Sequence, residues 1–477
     1  MAFSISQKPN QLAGANSPMV FILKETTSSI YNAAKFRYIA QVYISTTDAS
    51  TWVEKAKIKV YKNSANVGIV DVHKIVRTYL ETQEKNVGNQ EQIDGSIHSI
   101  GISDTSNSYS QNTSQLVGVK IVGGYEKAAD ANSSPEETLN QANTIIYSIP
   151  ASTPYTKVYS DIGGLDVDGT NNPLSSYIPN NTSKLFLTNA PRVQFVRGSS
   201  TSADNVDELT IAFIQNGLVT DGAAIGRIYI KYYNSSGVAI AGTSGGATVH
   251  YFTNDTASGG KGTADLVKNS LLYFGCGTAN LENQEDEPLA KPSNFSNWAY
   301  YEIYGTNALG NAVETTSYYF YRYGATRTGV DDRHQSCTRY DNIRLAWRNR
   351  LGAWDYMNFR GKSVESLDIR KSESAKVSGT WNEETFSYNT WDRGGNTLFS
   401  EATRKLKVNS DWLNEDEGAW LEELFTSTNV QVLDSSNIVY PVILKNRSYV
   451  KKTSVNDTIK IQYSLDLEYA NKVRTNS

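Results

Sequence analysis

A two-residue period with a tight turn behind it leaves a chain little choice of local structure, and residues 342–359 carry both. Ile343, Leu345 and Trp347 alternate with Asn342, Arg344, Ala346 and Arg348, the period of a strand with one dry face. Asn349 to Gly352 supplies turn chemistry and Trp354, Tyr356 and Phe359 return beyond it, which predicts a β-hairpin. Two Trp, a Tyr and a Phe lie among several Arg, without a nucleophile, base and oxyanion donor in recognisable spacing. The segment reads as scaffold and contact surface.

The same period recurs along the chain. Phe36, Tyr38, Ala40, Val42 and Ile44, then Ala56, Ile58 and Val60, predict two strands,. Asp71 is the expected N-cap of a helix whose stripe is Val72, Ile75, Val76, Tyr79 and Leu80, with His73 exposed beside it. Residues 103–114 read as a polar loop, 116–122 as a strand, and 128–143 as a linker or long surface loop. A second loop is expected at 161–181.

Strands are expected at 184–187, 193–196, 209–214, 228–233, 249–253, 300–304 and 317–323, with hairpin connections at 234–237 and 305–310. Short, regular strands of this kind predict a sandwich. The run Tyr318, Tyr319, Phe320, Tyr321, Arg322 and Tyr323 puts aromatics on both faces of one strand, as where a second face is covered. Near the end, Asn414 and Glu417 form an expected capping box ahead of a stripe of Trp420, Leu421, Leu424 and Phe425. Glu415, Asp416, Glu422 and Glu423 should be that helix's wet face. Residues 459–469 alternate apolar and polar as one long strand.

With 477 residues the chain exceeds the size of a single core,. The expected fold is mainly β and multidomain, with β-sandwich-like domains and a few short helices, divided at 1–145, 146–330 and 331–477. Thirty Tyr against 3 Met and 11 Pro fit that balance,. A net charge of -4 argues against a nucleic-acid-binding surface as the main role,. The apolar run at 19–23 is too short to cross a bilayer and no export signal precedes it, so synthesis in a cytosol is expected.

The search for chemistry returns little. His334 and Cys337, with Asp331 and Asp332 upstream, form the one close ligand pair, but the chain has 2 Cys and 4 His in all, too few for a structural zinc site there. A single bridge between Cys276 and Cys337 stays open. Cys337 beside Arg333 and Arg339 could form a thiolate, yet a small buried hydrophobe is the simpler reading. Neither a nucleophile elbow nor a phosphate loop is present. Asp355, Glu383, Glu384 and Asp392 among Trp354, Tyr356, Trp381 and Trp391 would suit glycan cleavage or glycan binding, against the commoner role of Trp as a core or interface anchor. No catalytic residue, cofactor or metal is expected. The candidate interface residues are Arg344, Arg348, Trp354, Tyr356, Trp381, Trp391, Tyr319 and Tyr321.

Trp347, Asn349, Gly352, Asp355 and Phe359 form the pattern W-x-N-x-x-G-x-x-D-x-x-x-F. With the segments 7–10, 17–21, 36–38, 186–191, 275–281 and 463–471, it resembles virion tail proteins of tailed phages infecting Bacteroidetes, including crAss-like phages. Arg348 and Ala353 depart from the resemblance, which would have less charge and another small residue there. The resemblance implies a non-enzymatic structural subunit of a phage tail, a ring, hub or tail-barrel component, made in the host cytoplasm and located in the virion. Its implied partners are copies of itself in a symmetric ring and neighbouring tail proteins, without a membrane, and DNA meets it only by passage through the lumen. The alternative is a tail-tip receptor- or glycan-binding module.

Overall fold

In the computed structural model, buried aromatics of alternating strands organise each sheet. It describes residues 3–9, 12–45, 51–80, 96–103, 105–112, 116–152, 186–215, 225–255, 270–313, 315–325, 339–381, 384–391, 394–434, 438–449 and 461–476. The fold is mainly β with several sheets and a few short helices. It divides into unit 1, Met1–Gln335 with Arg348–Asp355, and unit 2, Ser336–Trp347 with Tyr356–Ser477. Unit 1 thus takes in both of the first two expected domains.

The first sandwich of unit 1 pairs a five-stranded sheet with a three-stranded one. The larger runs in the order Leu12–Gly14, Glu136–Ile149, Val117–Ala128, Ala34–Ser45 and Val53–Val60, and the smaller is Phe3–Gln7, Val20–Glu25 and Val67–Asp71. Tyr38 joins them. Its ring centroid lies 6.2 Å from that of Phe3, and its hydroxyl donates to the Asn66 carbonyl at 2.6 Å and accepts from the Glu25 N–H at 3.1 Å. Gly68 lies so close that an added Cβ would sit 2.7 Å from the Tyr38 ring. A bulkier residue there would push the two sheets apart.

Three local expectations need correction. Residues 128–143 are not a loop throughout, because Glu136–Ile149 is a strand hydrogen-bonded to Val117–Ala128. Its Glu136, Glu137, Asn140 and Gln141 are polar because its outer half is solvent-facing. Within the expected loop 103–114, Tyr109–Asn112 is a strand whose buried Tyr109 donates to the Phe252 carbonyl at 2.9 Å. The helix near Asp71 spans only His73–Arg77. Asp71 instead ends the preceding strand, its Oδ1 accepting from the N–H groups of Met19 at 3.0 Å and His73 at 3.1 Å.

The second sandwich of unit 1 has the expected strands in a defined order except 184–187, of which residues 184 and 185 lie outside the described residues and Phe186 makes only an isolated bridge to Phe213. Its five-stranded sheet runs Val193–Val196, Tyr318–Arg322, Tyr300–Thr306, Arg227–Tyr233 and His250–Thr253. Tyr109–Asn112 joins Thr210–Gln215 and Ser270–Gly275 in the facing three-stranded sheet. Phe252 of one meets Phe274 of the other at 5.2 Å, and the Tyr301 hydroxyl donates to the Cys276 carbonyl at 2.9 Å. The expected connection at 234–237 closes with Gly237 at a φ of 78°, a value that favours glycine. The other begins at Asn307, since Gly305 and Thr306 still belong to their strand.

The turn of the predicted hairpin is built by Asn349. Its Oδ1 accepts from the N–H groups of Leu351 and Ala353, both at 3.0 Å. Its Nδ2 donates to the Leu187 carbonyl and to Asp355 Oδ1, both at 2.9 Å. The Asp355 carboxylate also takes the Thr188 hydroxyl at 2.7 Å. These residues belong to unit 1.

Unit 2 is built on an eight-stranded sheet ordered Trp354–Phe359, Ile343–Arg348, Val430–Leu433, Val439–Leu444, Ser464–Tyr469, Gly395–Asn409 and Val364–Ala375, with Val473–Asn476 also pairing Gly395–Asn409. The helix Glu415–Thr426 carries the capping box as expected, Asn414 and Glu417 each bonding the other's N–H at 2.8 Å. Trp420 meets Trp347 at 4.8 Å between ring centroids. Glu423, expected wet, is buried, and Phe425 is half-buried against Tyr449. The long strand expected at 459–469 is regular only over Ser464–Tyr469, with an isolated bridge from Ile461 to Leu413. Residues 459 and 460 lie outside the described residues.

Candidate interaction surfaces

Alternation in the five-stranded sheet of the second sandwich sends every second side chain away from the sandwich core. On Arg227–Tyr233 these are Arg227, Tyr229, Lys231 and Tyr233, opposite the buried Ile228, Ile230 and Tyr232. The register puts Tyr304 beside Tyr229, Glu302 beside Lys231 and Tyr300 beside Tyr233. The next strand adds Tyr321 beside Tyr300 and Tyr319 beside Glu302, and Phe195 follows beside Tyr321. The result is a continuous tyrosine-lined face in which Tyr300 and Tyr321 are buried, Tyr229, Tyr233, Tyr304 and Tyr319 are half-buried and Tyr251 is exposed. Its rings stack in series, Tyr233 on Tyr300 at 4.7 Å and Tyr300 on Tyr321 at 4.6 Å. Tyr229 stacks on Tyr304 at 5.3 Å, with Arg227 over Tyr251 at 4.4 Å.

Glu302 organises the polar tips of this face. It accepts the Tyr233 hydroxyl at 2.6 Å and the Tyr319 hydroxyl at 3.3 Å. Burial first, then this hydrogen bond to the carboxylate, pushes the Tyr233 hydroxyl far above its ordinary value of 10.0,. Tyr319 and Tyr304 are raised too, burial leading in both. These hydroxyls stay neutral donors across the physiological range. Flat rings with hydroxyl tips suit a protein partner better than nucleophilic attack.

Unit 2 offers a surface of a different kind. Val364–Ala375 and Gly395–Asn409 form a long antiparallel arm, and twelve residues at strand rise span roughly 40 Å,. Every residue from Val364 to Lys371 is exposed, on both faces of the strand. Leu367 is 57% and Ile369 51% exposed. Beyond the arm, Thr380–Trp381 pairs with Phe386–Ser387, and Val377, Phe386, Tyr388 and Trp391 are all exposed. Val364–Ala375 is the last strand of its sheet, so its outer backbone groups have no neighbouring strand among the described residues,.

The other predicted site residues are distributed differently. Tyr319 and Tyr321 lie together on the tyrosine face, Tyr319 half-buried and Tyr321 buried. Trp354 and Tyr356 are buried, at 2% and 4% exposure, so they are core residues and cannot form a surface platform with Trp391. Trp391 stands exposed, and the Trp381 side chain lies outside the described residues. Arg344 is buried as well, its guanidinium 5.5 Å from the Tyr356 ring centroid, whereas Arg348 is half-buried. The strand Ile343–Arg348 is buried on both faces, not one, because Leu345 and Trp347 pack one way and Arg344 and Ala346 are covered on the other. Sequence reasoning passed over Tyr229, Tyr251, Tyr304 and Glu302, although their alternate spacing was a usable signal.

Of the four carboxylates considered for glycan chemistry, only Asp355 and the exposed Glu384 are among the described residues. Asp355 is buried and engaged by Thr188 and Asn349, while Glu383 and Asp392 lie outside the described residues, as do His334 and Cys337. Among the described residues no group of three or more His, Cys, Asp or Glu could hold a metal ion. No helix among them is long and apolar enough to cross a membrane.

No protein-family model matches the chain. No curated protein matches it either. Among solved structures it is similar to a crystal structure of a Salmonella alpha-2-macroglobulin mutant, at 8% identity over 100% of this chain and 30% of that one, with a TM-score of 0.16. At that score the likeness carries no argument about fold or role.

Proposed function

We propose that the protein is a non-enzymatic structural subunit of a bacteriophage tail, present in several copies and joined to itself and to neighbouring tail proteins through β-sheet edges and aromatic faces. The observation that carries this reading is the arm of unit 2, an ordered hairpin exposed on both faces with Leu367 and Ile369 in water. Exposed apolar residues on an uncovered edge mark a contact site. The tyrosine-faced sheet supports the same reading, since tyrosine is enriched in interfaces. The resemblance of the Trp347 to Phe359 pattern supplies the tail context, including a ring of copies around a lumen through which DNA passes.

Light scattering on the purified protein, alone and with co-expressed neighbours, tests assembly, and mass spectrometry of intact particles tests location. A closed oligomer together with the chain's peptides in particles is the expected pair of results. A persistent monomer that joins no neighbour and is absent from particles would overturn the proposal. The glycan-binding alternative loses two of its four platform residues, because Trp354 and Tyr356 are buried while Trp391 is exposed.

A further inference from the structure

The side chains of the arm's edge strand are ordered in a way that selects a partner. On one face, in sequence, stand Glu365, Leu367, Ile369 and Lys371: acid, apolar, apolar, base. Read in the opposite direction the row is base, apolar, apolar, acid, so the strand is complementary to an antiparallel copy of itself. Two identical strands related by a two-fold axis normal to their common sheet keep their faces. Directly opposed residues must then be an even number apart.

We infer that Val364–Ala375 pairs edge to edge with the same strand of a second copy of this chain, in the register centred on Asp368. That register opposes Glu365 to Lys371 and Leu367 to Ile369, each twice. It also pairs Val364 with Ser372, so the stretch used lies before the register shift at Ser372 and Glu373, where the extra residue, Leu398, belongs to the neighbouring strand. Centring on Ile369 instead would oppose Glu365 to Glu373 and Leu367 to Lys371. Centring on Leu367 would place Glu365 against Ile369.

On the other face Asp368 meets its own copy. Its carboxylate is held 2.9 Å from Lys405 Nζ of the neighbouring strand, which offsets the like charge. Glu365 is already ion-paired with Arg404, and a carboxylate has a second oxygen for Lys371. Cross-strand apolar and opposite-charge pairs each stabilise a sheet, and like charges opposed across strands weaken it. The new sheet would be continuous through both copies, with main-chain hydrogen bonds supplying affinity and the side-chain rows supplying register. This inference rests on the reading of the arm as an assembly surface and names its partner.

The test is sedimentation equilibrium on the full chain and four companions: Glu365→Lys, Lys371→Glu, the double swap, and an equimolar mixture of the two single variants. The wild type should dimerise with concentration. Each single reversal should raise the dissociation constant by about tenfold or more, because it opposes like charges twice. The double swap and the mixture should both recover association, since each restores acid against base. Recovery in the mixture alone also supports the register, because the double swap places a lysine beside Arg404 in both copies and the mixed dimer in only one. A wild type that stays monomeric at every concentration reached would overturn the inference, as would single reversals without effect or failure of both rescues. Mass spectrometry of particles separates the two proposals: self-pairing by a chain absent from particles would remove only the tail assignment, and a particle protein that never pairs would remove only this contact.

Discussion

The two long exposed edge strands of this protein solve the same problem in opposite ways. Val53–Val60 closes the five-stranded sheet of the first sandwich, and its exposed Lys57 and Lys59 alternate with Ala56 and Ile58, while Lys55, also exposed, falls at a register shift in the pairing. Lys57 reaches Glu137 at 2.9 Å, and Lys59 reaches Glu126 and Glu137 at 2.5 and 2.7 Å. An antiparallel copy of that strand would set lysine against lysine. Val364–Ala375 has a similar share of charge, but its acid and base sit at opposite ends of an apolar pair. Edge protection therefore depends on the order of charges rather than on their number.

The largest expected effect comes from giving the second edge the chemistry of the first. Leu367→Lys with Ile369→Lys should raise the dimer dissociation constant by roughly a hundredfold, since each change is felt twice across the two-fold axis. Sedimentation equilibrium reads it. The thermal midpoint of dilute monomer should change little, because both side chains are already in water,.

The converse change is smaller. Lys55→Glu with Lys57→Leu gives Val53–Val60 an acid, apolar, base order and should create concentration-dependent association where the wild-type edge has none. About a tenfold gain over background is expected, since the row contains one apolar residue rather than two. If dynamic light scattering shows no new species, order alone is not the deciding feature.

Acid should separate the edges from the buried core. Hydrogen bonds from Lys59 and then Lys57 hold the Glu137 carboxyl below its ordinary value of 4.5. A depressed carboxylate contributes stability that is present above its unfolded value and is lost as pH falls through the folded one. Glu137→Gln should therefore flatten the loss of thermal midpoint below pH 4.5, with little effect at pH 7 beyond that of an exposed ion pair. Melting curves of both proteins between pH 3 and 6 check it. At the other edge Lys405 depresses Asp368 in the same sense.

The smallest effect is expected at Lys405 itself. Lys405→Ala removes an ion pair whose partners are about half exposed, and solvent screens such pairs strongly. Monomer melting should barely move. Dimerisation should weaken slightly, because Asp368 would then face its copy without compensation.

These edges also show what the sequence makes legible. Strands with one dry face could be read from their period, as Ile228, Ile230 and Tyr232 against Tyr229, Lys231 and Tyr233 illustrate. The Asn414 and Glu417 cap was equally plain, because its chemistry is local. Burial on both faces was not readable at Arg344, whose charge looks like a solvent mark until the fold covers it. Polar strands defeat the same logic from the other side, since Glu136–Ile149 carries too few apolar residues to announce itself. The row from Glu365 to Lys371 was in plain view, but only topology reveals that it lies at an edge.

The turn around Asn349 bears on how the chain is made. Unit 1 is almost complete at Gln335, yet the Leu187 carbonyl and Thr188 hydroxyl find their partners in Asn349 and Asp355. A ribosome delivering residues in order from the amino end must therefore have entered the second unit before the first can close. Until then a part-built domain waits with unmet polar groups, and contacts of such long sequence separation form slowly. The timing of synthesis is thereby coupled to the moment at which the first half of the molecule becomes fully native.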